Sequence, residues 1–263
     1  MIKLENVTLL GLDCVDLERL KIARDICTKD IEFGAVKLLS SIESDDKDVI
    51  KIDKVGSIKA YSEFMIKKLN DYVDTEFVLV FQYDGFVLDA KNWREEFLNY
   101  DYIGSPWIGY SPDSWPRVGN GGFSLRSKRL LEILAHDDEI KLPVPMIAED
   151  GFICYESEKY LKSKGIKFAP VEVAGKFGIA DVMKVEYEKE PGITERQYRE
   201  YLSSFGVVLD SKEKEIEWQF PKAFEDGDLY WTNQFGFHYL TKGHLSKWLE
   251  QNPEYKGLIK IKE

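Results

Sequence analysis

Along the first third of the chain, apolar runs alternate with amphipathic stretches. Val7-Thr8-Leu9-Leu10 is a short β-branched and apolar run, broken at Gly11-Leu12-Asp13. Over 17–27, Leu20, Ile22, Ala23 and Ile26 recur at helical spacing, and Asp13 or Asp16 is placed to cap the first turn. Residues 35–39 and 49–52 read as two further short strands. Ser57 then precedes an amphipathic helix over 58–69, with Phe64, Met65 and Leu69 on its inner side. Phe77-Val78-Leu79-Val80-Phe81 is apolar at every position, as a strand covered on both faces should be. This order of strands and helices predicts an α/β layer sandwich around a mostly parallel sheet.

Beyond Phe81 the pattern loosens. A short helix is expected over 93–98, a strand over 102–104, and a loop over 105–117 carrying Trp107, Trp115 and three prolines. Helices follow over 127–135 and 149–164, the second ended by Gly165, with a strand over 166–168. Residues 186–221 are highly charged, with one helix expected over 195–203, and read as an insertion or an acceptor-side subdomain. Aromatic residues return over 229–239, before a Lys-rich end.

Composition narrows the classes. At 263 residues, 44% apolar and 13% aromatic, the chain has the makings of a sizeable core. Lys and Arg number 36 against 47 Asp and Glu, for a net charge of −11 with both signs mixed, which argues against nucleic acid as a partner. Cys14, Cys27 and Cys154 are scattered without disulfide or metal-ligand spacing, so reduced thiols in a cytoplasmic protein are expected. The apolar start lacks a basic leader and cleavage pattern and reads as a first strand. No run approaches the ~20 apolar residues of a transmembrane helix.

Candidate chemistry sits in four places. Gln82-Tyr83-Asp84-Gly85-Phe86 ends the apolar strand, so Asp84 projects at its carboxyl edge, where open α/β sheets bind ligands. Asp84 is either a turn residue before glycine or a ligand for Mg²⁺ or Mn²⁺ beside diphosphate oxygens. Val118-Gly119-Asn120-Gly121-Gly122-Phe123-Ser124-Leu125-Arg126 matches neither the dinucleotide fingerprint nor a Walker loop. It is a glycine-rich bend, or the floor of a sugar site in which Asn120, Gly121 and Gly122 approach the ligand and Trp107 and Trp115 offer ring faces. Glu149-Asp150 opens a helix, where acidic residues are favoured electrostatically, or supplies a general base. His238 in Phe235-Gly236-Phe237-His238-Tyr239 is a structural histidine, or a metal ligand with Lys242 four residues on as a phosphate partner.

Taken in order, these motifs resemble the GT-A class of nucleotide-sugar-dependent glycosyltransferases. Within it the chain is most similar to a broadly distributed family of predicted glycosyltransferases. The resemblance rests on Tyr100-Asp101-Tyr102-Ile103-Gly104-Ser105-Pro106-Trp107, the 118–126 string, Glu149-Asp150 and Gly236-Phe237-His238, and spans about 7–239. It implies a single domain over 1–263, with a Rossmann-like nucleotide-binding half over about 1–100, an acceptor half over about 101–245 and an irregular α+β extension at the end. It also implies a metal-binding acidic motif, a catalytic acidic pair and a late metal-ligating histidine, which fall on Asp84, on Glu149 with Asp150, and on His238. The common acidic motif has two aspartates separated by one residue; here Gln82 stands in the first place.

The expectation is therefore a cytoplasmic enzyme that moves a sugar from a nucleoside diphosphate donor to a hydroxyl of a saccharide-like acceptor, with inversion. Asp84 and His238 would hold Mn²⁺ or Mg²⁺, and Asp150 would be the base, with Glu149 second. Leu10, Gly11 and Asp13 would face the nucleotide with Gln82, and Lys242 its phosphates. The alternative is an inactive carbohydrate-binding module of the same fold.

Overall fold

A computed structural model describes residues 1–106, 118–143, 148–180, 234–238 and 248–259. Six strands form the main sheet: β1 (Ile2–Leu12), β2 (Ile31–Ser40), β3 (Val49–Lys51), β4 (Phe77–Phe81), β5 (Tyr102–Gly104) and β6 (Phe123–Ser127). Their order is β3-β2-β1-β4-β6-β5. The pairs β3–β2, β2–β1 and β1–β4 are parallel, whereas β6 runs antiparallel to both β4 and β5. Only β6 is reversed, so the fold is the expected α/β type with a mostly parallel, Rossmann-like sheet.

Period-two burial sorts the sheet into two covered faces. Leu9 and Leu79 pack under α1 (Leu17–Thr28) through Leu17, Leu20, Ala23 and Ile26. Leu10, Val78 and Val80 pack against Phe64 and Met65 of α2 (Ile58–Lys67) and Leu131 of α3 (Lys128–His136). Burial of each such side chain contributes about 1.5–3 kcal/mol, so the fully apolar β4 anchors both layers. Asp16, Ser57 and Ser127 cap the three helices by accepting from backbone amides of Arg19, Ala60 and Leu130.

Several expectations are corrected. β1 runs through Gly11 and Leu12, which pair with Leu38 and Leu39. Gly11 belongs inside the strand because a Cβ there would lie 2.8 Å from both Leu20 and the Phe81 ring. β2 starts at Ile31, because Ile31–Phe33 finds partners in Ile2–Leu4. α2 stops at Lys67 and gives way to a 3₁₀ turn at Leu69–Tyr72. In place of a helix over 93–98 there are 3₁₀ turns at Ala90–Asn92 and Glu95–Asn99, separated by extended Arg94. The strand expected over 166–168 is one bridge from Phe168 to Tyr102.

The helical run after Ala148 begins as α4 (Glu149–Gly151), passes through a π-helical turn at Phe152–Glu156 and continues as α5 (Glu158–Ser163). Past α6 (Val171–Phe177), β7 (Gly178–Ala180) pairs in parallel with β8 (Gly236–His238). The 107–117 part of the expected loop, the 186–221 segment and its helix over 195–203 lie outside the described residues. Among the described residues no helix is long and apolar enough to cross a membrane.

Candidate functional site

The acidic turn follows directly from β4. Gln82 and Gly85 close it with reciprocal backbone bonds, Gln82 N to Gly85 O at 3.3 Å and Gly85 N to Gln82 O at 3.1 Å, leaving Asp84 near its tip. The chain after the turn is laced to the C-terminal segment. Phe237 N donates to Phe86 O (3.1 Å) and Leu88 N to Phe235 O (2.8 Å), while the Phe86 ring meets Phe237 edge-on and lies 5.1 Å from Trp248. This apolar docking carries His238 to the acidic turn, with Nε2 3.7 Å from Asp84 Oδ1 and 3.1 Å from Gln82 Oε1. Gln82 Nε2 donates in turn to the Tyr61 hydroxyl at 2.9 Å.

Because β6 is antiparallel, its first residue lies beside the last residue of β4, Phe123 opposite Phe81. That reversal brings the glycine-rich turn to the acidic one. Asn120 is the only non-glycine with positive φ among the described residues (61°), a conformation in which asparagine is enriched. Gly121 and Gly122 do not have positive φ; their need is for close approach. A Cβ on Gly121 would run into the Glu149 carboxylate, and one on Gly122 into the His238 ring. Gly122→Ala is expected to cost about 1–3 kcal/mol through overpacking and to move the His238 imidazole signals in long-range ¹H–¹⁵N NMR spectra. Unmoved signals would contradict the contact.

On the far side of this glycine pair stand the helix-start acids. Asp150 Oδ2 accepts from Gly121 N at 3.0 Å and Oδ1 from Gly151 N at 2.8 Å. Glu149 instead turns inward, 5% exposed, to Arg126 Nη2 at 3.1 Å. Burial pushes the Glu149 carboxyl above its ordinary range, the neighbouring Asp150 adds to this, and Arg126 opposes it. Burial and then Glu149 also push the Tyr61 phenol up, so it keeps its proton.

These groups border a cleft of about 490 Å³ at the carboxyl edge of the parallel strands. Leu12 and Cys14 at the end of β1, the amino end of α2, Tyr61, Gln82, Asp150 and His238 line it. Arg19 is the only arginine or lysine of the lining among the described residues. Its guanidinium lies 3.6 Å from the centre of the Tyr83 ring and donates from Nε to Asp13 Oδ2 at 2.6 Å.

The structure therefore gathers Gln82, Gly122, Glu149, Asp150 and His238 around one cavity, with Asp84 and Gly121 immediately behind this lining. Leu10 is wholly buried in the core and Gly11 is inside β1, so neither is brought to the cleft. Asp13 reaches it, but its carboxylate already serves Val15 N, Asp16 N and Arg19. Asn120 is 8% exposed and sits behind the turn. Trp107, Trp115 and Lys242 lie outside the described residues. Tyr61, Arg19 and Arg126 were not singled out from the sequence. The signal for Arg126 was an arginine placed within an apolar alternating run; for Tyr61 and Arg19 nothing local marks them.

Asp84 and His238 supply a carboxylate oxygen and an imidazole nitrogen, with the Gln82 amide oxygen beside them; the two oxygens are the donor type that Mn²⁺ and Mg²⁺ favour. Among the described residues no group of three His, Cys, Asp or Glu gathers for a metal. A cation here would take two strong ligands from the protein and the remainder from substrate and water.

Fold and cleft together define an α/β protein with a cavity where parallel strands end, its mostly apolar wall carrying Asp13, Glu149, Asp150 and His238. A family model described as "Protein of unknown function (DUF5672)" matches residues 47–192, and the chain belongs to that family. The matched span includes the acidic turn, the glycine string and Glu149-Asp150, and stops before His238. A comparison with curated proteins finds no match. Among solved structures, the chain is similar to mannosyltransferase PcManGT from Pyrobaculum calidifontis in complex with GDP-Man and Mn²⁺. Identity is 13%, coverage 64% of this chain and 55% of that one, and the TM-score 0.39, so the likeness spans about half the length of that protein. It is also similar to galactosyltransferase LgtC in complex with donor and acceptor sugar analogs, at 13% identity, 97% coverage of each chain and a TM-score of 0.49. An active-site mutant of LgtC gives 12% identity, 88% and 86% coverage, and a TM-score of 0.42.

Proposed function

We propose that this chain is a GT-A-type glycosyltransferase that moves a sugar from a nucleoside diphosphate donor to a hydroxyl of a saccharide-like acceptor. One observation carries the reading. Asp150 and His238, far apart in sequence, line one cleft at the carboxyl edge of the sheet, with Asp84 behind that lining 3.7 Å from His238 and Asp150 held by the Gly121 amide.

In this reading Asp84 and His238 would hold Mn²⁺ or Mg²⁺, which would supply positive charge to offset that building on the departing diphosphate. Leu12 and Asp13 face the nucleotide, with Leu10 and Gly11 supporting that strand end from the core. Asp150 takes the proton of the acceptor hydroxyl as its oxygen bonds to the anomeric carbon. The bond from that carbon to the diphosphate breaks on the opposite side, and the nucleoside diphosphate leaves with the electron pair. A direct displacement of this kind inverts the anomeric centre. The nucleotide half corresponds to about 1–100 and the acceptor half to about 101–245.

Thermal melts with UDP, GDP and dTDP, each with and without Mn²⁺, test the binding side. A ligand at about 100 times its Kd adds ~2.7 kcal/mol to stability, roughly a 5–10 °C rise for a chain of this size. One nucleotide should stand out, and Asp84→Ala should remove the Mn²⁺-dependent part of its effect. Failure of all three to stabilise the protein would sink the reading.

A second reading, a non-catalytic carbohydrate-binding protein of the same fold, draws on Gln82. Its amide faces His238 Nε2, the nitrogen a cation would need. Sugar binding without nucleotide binding would favour it.

A further inference from the structure

Arg126 is the largest side chain fully withdrawn from water among the described residues. Burying a guanidinium is costly unless its hydrogen bonds are met, and Arg126 Nη1 has no partner among the described residues. An apolar residue in β6 would fill the same space without that cost. The bonds that Arg126 does make share one destination.

Nε donates to Ser124 Oγ (3.0 Å), and Nη2 to both Gly121 O (3.3 Å) and Glu149 Oε1 (3.1 Å). Ser124 Oγ donates to the same Gly121 carbonyl at 3.1 Å. Gly121 is thus gripped twice through its oxygen, while its own N–H donates to Asp150 Oδ2 at 3.0 Å. Glu149 is the residue immediately before Asp150 in α4. One guanidinium therefore holds both supports of Asp150: the amide that binds its carboxylate and the helix start that carries it.

We propose that Arg126 is a positioning residue for Asp150, acting through Gly121 and Glu149, and that Glu149 is part of this brace rather than an alternative base. The catalytic consequence rests on the glycosyltransferase reading; the brace itself does not. Lysine cannot reproduce it, because a single ammonium lacks the planar fork that reaches Gly121 and Glu149 together.

Amide hydrogen exchange on the full chain tests the brace without any substrate. In Arg126→Lys and Arg126→Met, exchange at Gly121 and over 149–152 should speed by about 10-fold or more, with the amides of β4 unchanged. Protection at Gly121 equal to wild type in a folded variant overturns the proposal. So does a uniform loss extending through β1 and β4, which marks a core strut and nothing more. Should neither variant fold, Ser124→Ala, which removes one grip on the Gly121 carbonyl, decides by the same exchange measurement.

A kinetic arm adds the catalytic consequence. With any nucleotide sugar of the UDP, GDP or dTDP series that turns over, Arg126→Lys should lower kcat about 10-fold or more with donor KM within about two-fold. A rise in KM with kcat unchanged overturns the positioning role. If no nucleotide sugar turns over, the glycosyltransferase reading fails while the exchange result still decides the brace.

Discussion

Asp150→Asn is expected to lower sugar transfer by about 10²–10⁴-fold while leaving nucleotide binding intact, the usual range for loss of a positioned general base. Asparagine keeps an oxygen for the Gly121 amide, so that contact should survive, while the ability to accept a proton and the bond from Gly151 N are lost. The measurement is initial rate against donor and acceptor concentration, beside nucleotide affinity from thermal melts. A variant that retains more than about a tenth of the wild-type kcat would remove Asp150 from the role of base. Retention of the donor's anomeric configuration in the product would do the same for direct displacement.

Glu149→Ala should be the most destabilising single change near the site. It leaves the Arg126 guanidinium, with a side chain 0% exposed, without its carboxylate. Breaking a buried pair in this way costs about 3–5 kcal/mol, roughly a 10 °C fall in Tm for a chain of this length. Urea unfolding followed by circular dichroism gives the number. The double change Glu149→Leu with Arg126→Met should recover most of the loss, because a well-packed apolar pair can replace a buried ionic one.

The same carboxyl gives a pH signature. Its folded pKa is raised from 4.5 by burial and then by Asp150, so the native state holds that proton more tightly than the unfolded chain does. The resulting contribution is whole below the ordinary value and is lost as pH rises through the raised one. Wild-type stability should therefore fall as pH rises from 4.5 through the raised value, and Glu149→Gln should lack that step.

The sequence expectations succeeded where local pattern and tertiary demand agree. β4 was legible because a strand covered on both faces must be apolar at each position, and Val78, Leu79, Val80 and Phe81 are all buried. The helix starts after Asp16 and Ser57 were legible, with the first cap open between Asp13 and Asp16, because a side-chain oxygen beside free helix amides acts within a few residues; the structure gives the caps to Asp16 and Ser57. The acidic pair at 149–150 looked like one functional unit, yet the structure gives its members different partners: both border the cleft, but Glu149 bonds inward to Arg126 and Asp150 accepts from the Gly121 amide. Which of two adjacent carboxylates turns inward depends on a guanidinium 23 residues away, and no local spacing encodes that. The break placed at Gly11 failed for a related reason. Glycine there answers the approach of Leu20 and Phe81 rather than a turn.

By itself the sequence determined the alternation of strands and helices, the capped helix starts, and the residue types available for chemistry at the acidic and glycine-rich turns. Those follow from periodicity and short-range hydrogen bonding, which act over a few residues. Only the tertiary structure decided that β6 runs backwards beside β4, that Phe86, Phe237 and Trp248 lock the C-terminal segment under the acidic turn, and that His238 consequently meets Asp84. Those are contacts between groups as many as 162 residues apart, Phe86 and Trp248, set by packing of apolar faces that the linear pattern marks as buried but does not pair.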